Sequence, residues 1–263
     1  MLFYSLFAHI PLWGIFLFTI GLTWLAFEIG FRLGLYKKRR SPNLKEAPLN
    51  SAVAATLGLF AFILAFTFNM AANRFDERRN LVLEESNAIG TTYLRTGYLP
   101  EPQAEKIRQL LREYVSIRLE AVLSGSSLAG IETSEHLQDA MWDQAEQIAR
   151  DSPDSIIAGL FIQSLNEVID IHSKRVMKGL RSHIPEVIWD AIYCVAFLAM
   201  AAMGYQSGLS GQHLITLHST LILTFSIVMA LIGDLDRPQE GLLRVSQQSM
   251  IDLYKKIKRE KAT

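Results

Sequence analysis

The chain has 263 residues, of which 50% are hydrophobic and 20% are charged, and its formal net charge is zero. This balance gives no sign of the basic surface that nucleic-acid binding requires, so we expect no nucleic-acid partner. The single cysteine, Cys194, excludes an intramolecular disulfide, and no cysteine spacing typical of a metal-binding finger occurs.

Charged side chains are distributed very unevenly along the chain. Lysine, arginine, aspartate and glutamate are absent from residues 1–27, 49–73 and 191–232. About 20 apolar helical residues are needed to cross a hydrocarbon core of about 30 Å, and charge-free stretches of this length supply them. A soluble protein would interleave apolar and charged residues instead. The sequence therefore predicts an all-α membrane protein.

Four transmembrane helices are predicted, and the lengths of their loops pair them into two hairpins. Their approximate spans are residues 11–36, 51–73, 185–205 and 213–233. Short loops make residues 1–73 the first hairpin and residues 185–236 the second. The polar residues 74–184 are expected to form a helical domain inserted between helices 2 and 3, and residues 237–263 a basic C-terminal tail.

Basic residues near the span ends decide the predicted orientation. The loop after the first span carries a basic cluster at residues 37–40, but the side that holds residues 74–184 carries more arginines and lysines close to its span ends. Because cytoplasmic loops carry the excess of basic residues, we expect the inserted domain and both termini to be cytoplasmic, on the inner membrane of the cell.

The inserted domain is predicted to be helical throughout. Apolar residues recur at helical spacing over residues 105–122, and no breaker follows span two, so that helix is expected to continue out of the membrane. Ser134 is predicted to cap a helix that begins at Glu135. Ser155 is predicted to open a longer helix that runs towards span three.

Span two contains an apolar stripe that could narrow a pore. Phe60, Leu64 and Phe68 follow one another at intervals of four residues and share one face of a helix. Apolar rings contributed by several subunits form constrictions that gate by dewetting. The alternative is ordinary packing against lipid or other helices. Phe62 and Phe66 form a competing stripe, and periodicity cannot choose between the two.

Polar residues follow this stripe at the end of span two. Asn69 and Asn73 place amides there, and Arg74 and Arg78 lie one turn apart directly after them. A ring of arginines at a pore mouth would concentrate anions, so these four residues are the candidates for ion selectivity. The alternative is a set of interfacial arginines with pairs inside the helix.

Two carboxylates end span four. Asp234 and Asp236 could supply oxygens to a cation, but calcium takes six to eight ligands, so we expect no metal here. A carboxylate at a helix C-terminus is disfavoured by the helix dipole and is expected to have a partner. We therefore predict that Asp234, Asp236 and Arg237 take part in structural ion pairing, with no cofactor.

Several strings together resemble the bestrophin-like family of bacterial membrane proteins, over nearly the whole chain. They are NSAVAATLGLF at residues 50–60, RFDERR at 74–79, ESNAIGTTYLR at 85–95, LREYV at 111–115 and LDRPQEG at 235–241. In layout the chain is also similar to true bestrophins, which are pentameric anion channels with a helical domain between spans two and three. That resemblance implies an apolar neck at Phe60, Leu64 and Phe68. The acidic cluster by which animal bestrophins bind calcium is sparser here.

The predicted function is therefore a homo-oligomeric ion channel, pentameric by resemblance, that prefers anions. Its partners would be the lipid bilayer, further copies of itself and small anions. No catalytic arrangement stands out in the sequence, so we do not expect an enzyme. The alternative function is a non-conducting membrane scaffold or sensor whose helical domain binds a cytoplasmic protein.

Overall fold

The computed structural model describes residues 10–40, 47–124, 127–211, 215–237 and 241–259, and these ranges contain helices but no strand. The helices are α1 (Leu12–Arg40), α2 (Ala47–Arg95), α3 (Gln103–Ser124), α4 (Ser127–Asp151), α5 (Ile156–Val176), α6 (Glu186–Ser210), α7 (Ile215–Asp236) and α8 (Gln248–Arg259). Four of them, α1, α2, α6 and α7, are long and apolar enough to cross a membrane. The predicted all-α membrane protein with four transmembrane helices is confirmed.

The chain folds as two compact units. Unit 1 contains residues 1–74 and 183–243, and unit 2 contains residues 75–182 and 244–263. The 49-residue helix α2 contributes to both, because it continues without a break from the second span, as its sequence predicted. Unit 1 therefore holds the four spans, and unit 2 holds α3, α4, α5 and α8 with the C-terminal part of α2.

Glycines let two helices of unit 1 approach each other closely. A Cβ added at Gly30 of α1 would collide with the carbonyl oxygen of Ala201, and a Cβ at Gly204 of α6 with the carbonyl oxygen of Phe27. Each helix repeats the motif one turn later, so the glycines in this contact are Gly30, Gly34, Gly204 and Gly208. Small residues four apart are a common means of packing membrane helices without a hydrophobic driving force. The rising residue numbers on both sides show that α1 and α6 run parallel.

Polar and aromatic contacts set the direction of the other two spans. Gln206 Nε2 donates to Asn50 Oδ1 at 2.7 Å, so α2 begins beside the end of α6. Ten residues further along α2, the ring of Phe60 lies 4.8 Å from that of Phe225 in the middle of α7, so α2 runs back along the bundle, antiparallel to α6. The rings of Phe27 and His218 lie 4.3 Å apart, and Arg237 Nη2 donates to the carbonyl of Ile10 at 2.7 Å. Helix α7 therefore runs antiparallel to α1. These directions make α1–α2 and α6–α7 the two predicted hairpins.

Unit 2 is a helical domain with its own apolar core. Its fully buried side chains include Ile89, Ile107, Leu111, Tyr114, Met141, Phe161 and Leu165. Helix α5 begins as predicted, because the Ser155 side chain accepts a hydrogen bond from the Ala158 amide at 3.2 Å. The basic tail contains α8, whose Met250 and Ile257 are buried in this core.

The predicted cap at Ser134 is wrong. Helix α4 begins at Ser127, and the Ser134 hydroxyl lies inside the helix, where it donates to the carbonyl of Gly130 at 2.6 Å. The cause is tertiary packing: Gly130 lies so close to Ala121 of α3 that a Cβ would collide with that methyl group. Packing of this kind overrides the weak helix propensity of a Ser/Gly-rich segment.

Candidate functional site

The predicted neck residues lie largely on the inner side of α2. Phe60 is 0% exposed, and its ring packs 4.8 Å from the ring of Phe225 on α7. Leu64 is also buried, whereas Phe68 is 37% exposed. Two of the three side chains therefore point into the helix bundle of their own chain, where they act as core residues.

The competing stripe lies on the opposite side of α2. Phe62 is 69% exposed and Phe66 is 62% exposed. Because an α-helix has 3.6 residues per turn, Gly58, Asn69 and Asn73 share this side with them, and all three are exposed. We call Gly58, Phe62, Phe66, Asn69 and Asn73 the outer face of α2. It changes from apolar to amide side chains towards the end of the span.

The outer face has a polar continuation on the part of α2 that belongs to unit 2. Spacings of three and four residues extend the same side of the helix to Asp76, Asn80, Glu84 and Asn87, which are all exposed. The signal was present in the sequence as a run of Asn, Asp and Glu at helical spacing. The string at residues 74–79 interleaves arginines with carboxylates, and a single sequence does not show which of these charges lie on the exposed side of the helix.

The two predicted arginines lie off this side of the helix. Arg78 is 5% exposed and Arg74 is partly buried. Their sequence positions relative to Asn73 place both on the flank or back of α2. The residues predicted to face a pore mouth are thus separated by the structure into exposed amides, Asn69 and Asn73, and arginines that contact the protein itself.

The carboxylate of Asp234 is held by backbone amides. Its Oδ1 accepts from the Leu242 amide at 2.9 Å, and its Oδ2 accepts from the Leu243 amide at 3.1 Å. The loop can approach because Gly241 has φ of 138°, and a Cβ there would collide with Asp234 Oδ1. Carboxylate oxygens that already accept N–H groups are poorly placed to bind a cation.

Asp236 and Arg237 make similar contacts with backbone groups. Asp236 Oδ1 accepts from the Ile184 amide at 2.9 Å, and Oδ2 lies 4.0 Å from His183 Nδ1. Arg237 donates to the Ile10 carbonyl, as described above. These three residues therefore tie the ends of the spans in unit 1 together. Among the residues that the structure describes, no group of three or more His, Cys, Asp or Glu could hold a metal ion.

A buried polar cluster in unit 2 was not predicted. Glu85 of α2 is fully buried and forms ion pairs with Arg118 of α3, at 3.1 Å, and with Arg175 of α5. The Tyr114 hydroxyl donates to Glu85 Oε1 at 2.9 Å. Arg175 Nη2 also donates to Gln247 Oε1 at 2.8 Å, immediately before α8. One carboxylate thus joins three helices of the domain, and the adjacent Glu84 is exposed.

Hydrogen-bond accounting fixes the tautomer of a histidine in this cluster. The Tyr114 hydroxyl has one hydrogen, which goes to Glu85, so it accepts from Gln138 Nε2 at 3.2 Å and from His172 Nδ1 at 3.0 Å. His172 therefore carries its proton on Nδ1. Its Nε2 is buried and has no hydrogen-bond partner within the described part of the chain.

The cluster changes the protonation of its members. Burial alone would raise the pKa of Glu85, but the charges of Arg175 and Arg118 outweigh it and hold this pKa at about 2. Burial and the charge of Arg118 lower the pKa of His172 to about 4. Burial, together with the negative Glu85, raises the pKa of Tyr114 well above its ordinary value. At neutral pH the cluster thus contains one carboxylate, two guanidinium groups and a neutral imidazole.

These shifts predict that acid destabilises unit 2. The pKa of His172 falls from 6.5 in the unfolded chain to about 4 in the folded one, so the unfolded state binds the proton more tightly. The stability that unit 2 gains from keeping His172 neutral is therefore fully present above pH 6.5 and is lost as the pH falls towards 4. We expect a loss of about 2 kcal/mol in the free energy of unfolding between pH 7.5 and pH 4.5.

Denaturant titrations monitored by circular dichroism measure this loss. His172→Asn, which keeps a donor near the Nδ1 position, should flatten the pH dependence. His136→Asn, at an exposed histidine of α4, should leave it unchanged. An equally steep pH dependence in the His172→Asn variant would contradict the assignment.

Comparisons with known proteins agree with this architecture. A family model described as a Bestrophin-like domain matches residues 17–250. No curated protein matches the sequence of the chain. Solved structures with a similar fold include a variant of a bacterial bestrophin homologue from Klebsiella pneumoniae, with a TM-score of 0.66 at 15% identity, covering 96% of this chain and 99% of that chain. A second variant of that homologue gives a TM-score of 0.67 at 16% identity, with coverage of 94% and 99%.

Proposed function

Because the chain belongs to the bestrophin-like family, we propose that it is a homo-oligomeric ion channel whose pore is lined by the outer face of α2. One observation carries the proposal. Phe62 and Phe66 are exposed in the middle of a charge-free span, and Asn69 and Asn73 follow them on the same side of the helix. A face that turns from phenylalanine to amide along its length suits a water-filled axis better than a uniform lipid environment.

The neck of this channel would be formed by Phe62 and Phe66. Rings of these side chains from several copies would form an apolar constriction that opens and closes to water. The sequence-based prediction of a neck at Phe60, Leu64 and Phe68 remains untested. The burial of Phe60 against Phe225 favours the stripe of Phe62 and Phe66 as the neck. A side chain that packs inside the helix bundle of its own chain cannot also line a pore at the axis of the assembly.

The charges on the polar continuation of α2 suggest which ions pass. Arg74 and Arg78, on which anion preference was predicted, lie off the exposed side, whereas Asp76 and Glu84 lie on it. Carboxylate rings favour cations. We therefore infer that the pore prefers cations. The sequence-based prediction that small anions permeate stays a prediction, and the reversal potential distinguishes the two.

The proposed assembly is a closed ring of identical copies, pentameric by analogy with bestrophins. We further propose that it lies in the inner membrane with unit 2 and both termini in the cytoplasm, following the distribution of basic residues. Mass measurement of the purified protein together with single-channel recording in a planar bilayer tests the proposal. A monomer that passes no current would refute the channel proposal. An oligomer that passes no current would favour the alternative function of a non-conducting scaffold or sensor.

Selectivity gives a prediction with a matched control. Asp76→Asn combined with Glu84→Gln should shift the reversal potential in a KCl gradient towards the chloride equilibrium potential. Removing carboxylates from the pore-facing side weakens the attraction of cations. Arg74→Gln should leave the reversal potential close to that of the unmodified channel. The opposite pattern would restore the arginine-based prediction of anion preference.

A further inference from the structure

Two exposed ion pairs of this chain have the same spacing of four residues and nearly the same distance between nitrogen and oxygen. Arg32 Nε lies 2.7 Å from Glu28 Oε1 on α1, and Arg150 Nη2 lies 2.8 Å from Glu146 Oε2 on α4. The arginine side chain is 77% exposed in both pairs. On α4, a polar helix of unit 2, water can solvate the pair. On α1 the same pair lies on a helix that spans the membrane.

Aromatic residues mark the depth of the pair on α1. Trp13 and Tyr36 are exposed near the two ends of the helix, and tryptophan and tyrosine concentrate at membrane–water interfaces. With a rise of 1.5 Å per residue, they are about 35 Å apart along the helix, which is close to the thickness of the hydrocarbon core. On this scale Arg32 begins about 6 Å, and Glu28 about 12 Å, inside the level of Tyr36.

The Arg32 side chain turns away from the nearer interface. Its Nε bond to Glu28 directs the guanidinium towards the N-terminus of α1, and therefore deeper into the membrane. Within the described residues this is the one hydrogen bond of Arg32, so its two Nη groups have no protein acceptor. The hydrocarbon tails of lipids contain no hydrogen-bond acceptor for them either. Charged groups at such depth are expensive unless a protein surface or a water-filled cavity covers them.

The surface around the pair is apolar and open. Leu17 and Leu25 are exposed on the same side of α1, and a Cβ at Gly21 would meet nothing within 4 Å. Helix α6 and helix α7 cover other sides of α1, as the glycine contacts and the Phe27–His218 contact show. The ion pair therefore interrupts an uncovered apolar face of a single chain.

We propose that a second copy of the chain covers this face of α1 and supplies acceptors for the Nη groups of Arg32; the proposal rests on the homo-oligomer proposed above. Acceptors of suitable chemistry are exposed at the matching depth. Helix α7 carries Thr216 and Thr220 on its surface near the level of His218, which lies beside Phe27. The Thr220 hydroxyl donates to the Thr216 carbonyl at 2.9 Å, which leaves its lone pairs available.

The first test compares two double variants of the full-length protein. Glu28→Leu with Arg32→Leu should raise the concentration at which the assembly dissociates in detergent by at least about tenfold, because polar contacts between copies are lost. The matched control, Glu146→Leu with Arg150→Leu, should leave that concentration within about twofold. Mass photometry over a dilution series measures both. An assembly that is unchanged or more stable in the Glu28→Leu, Arg32→Leu variant would overturn the proposal. That result is the one expected if this face of α1 contacts lipid, where leucine is more favourable than a charged pair.

The second test keeps the ion pair intact. A photoreactive p-benzoylphenylalanine at position 25, on the same face of α1, should form covalently linked dimers on illumination in liposomes. Adducts with lipid alone, or no adduct, would overturn the proposed contact. The outcome is separable from the channel proposal. If the wild-type protein is a monomer by mass, both the channel proposal and the proposed contact at α1 are refuted. If it is an intact oligomer but position 25 forms adducts only with lipid, the contact at α1 is refuted and the channel proposal is unaffected.

Discussion

Glu85→Gln is expected to lower the free energy of unfolding of unit 2 by about 3–5 kcal/mol, the usual cost of removing one partner from a buried ion pair. The substitution keeps the shape of the side chain but removes its charge. Arg118 and Arg175 would then remain in the interior with no counter-charge from Glu85. Glu84→Gln, one residue earlier and exposed, should change the same quantity by less than about 0.5 kcal/mol.

Denaturant titration of the purified protein measures this difference, with the fluorescence of Trp142 reporting on unit 2, because Trp142 packs against its core. A double-mutant cycle with Arg175→Met then isolates the pair. If the three helices depend on this contact, Glu85→Gln and Arg175→Met together should cost less than the sum of the two single variants. Equal effects of the Glu84 and Glu85 substitutions would show that the cluster is not a structural anchor.

The architecture was accessible from sequence because it follows from coarse physical requirements. Charge-free stretches of more than 20 residues have few stable environments other than a bilayer, and short loops force neighbouring spans to run antiparallel. The long helix α2 was predictable because nothing between Asn73 and Arg95 breaks it. The resemblance strings led to the same family that the family model matches.

The orientation of the side chains on α2 was not accessible in the same way. Both phenylalanine stripes have helical spacing, so the pattern could not decide whether Phe60 or Phe62 faces the bundle. Partners distant in sequence decide it: Phe225 of α7 occupies the space beside Phe60. The Glu85 cluster was missed for a similar reason. Its partners, Arg118, Arg175 and His172, come from separate helices, and a single sequence does not show which charges meet.

The glycine contacts between α1 and α6 have a recognisable pattern in the sequence. Gly30 and Gly34 on the first span, and Gly204 and Gly208 on the third, each form a pair of small residues four apart. This spacing favours close approach of membrane helices. It indicates that both helices have a contact face, but the choice of each other as partners, and the parallel direction, emerge only from the structure.

Phe62→Ala combined with Phe66→Ala is expected to raise ion flux into liposomes by at least about tenfold if the outer face of α2 forms the neck, because smaller side chains widen and wet an apolar constriction. Single-channel recording should show a larger conductance or a longer open time. The fold should be preserved, since both side chains are more than 60% exposed in the single chain.

The matched control is a substitution in the other phenylalanine stripe of α2. Phe60→Ala deletes a fully buried ring, so it should lower the free energy of unfolding of unit 1 by about 3–5 kcal/mol while conductance per folded channel stays close to the wild-type value. The two variants thus separate a lining role from a packing role on the same helix. Increased conductance in a folded Phe60→Ala oligomer, with none in the Phe62→Ala and Phe66→Ala variant, would return the neck to the Phe60, Leu64 and Phe68 stripe. That result would require the isolated chain to rearrange around Phe225 when copies assemble.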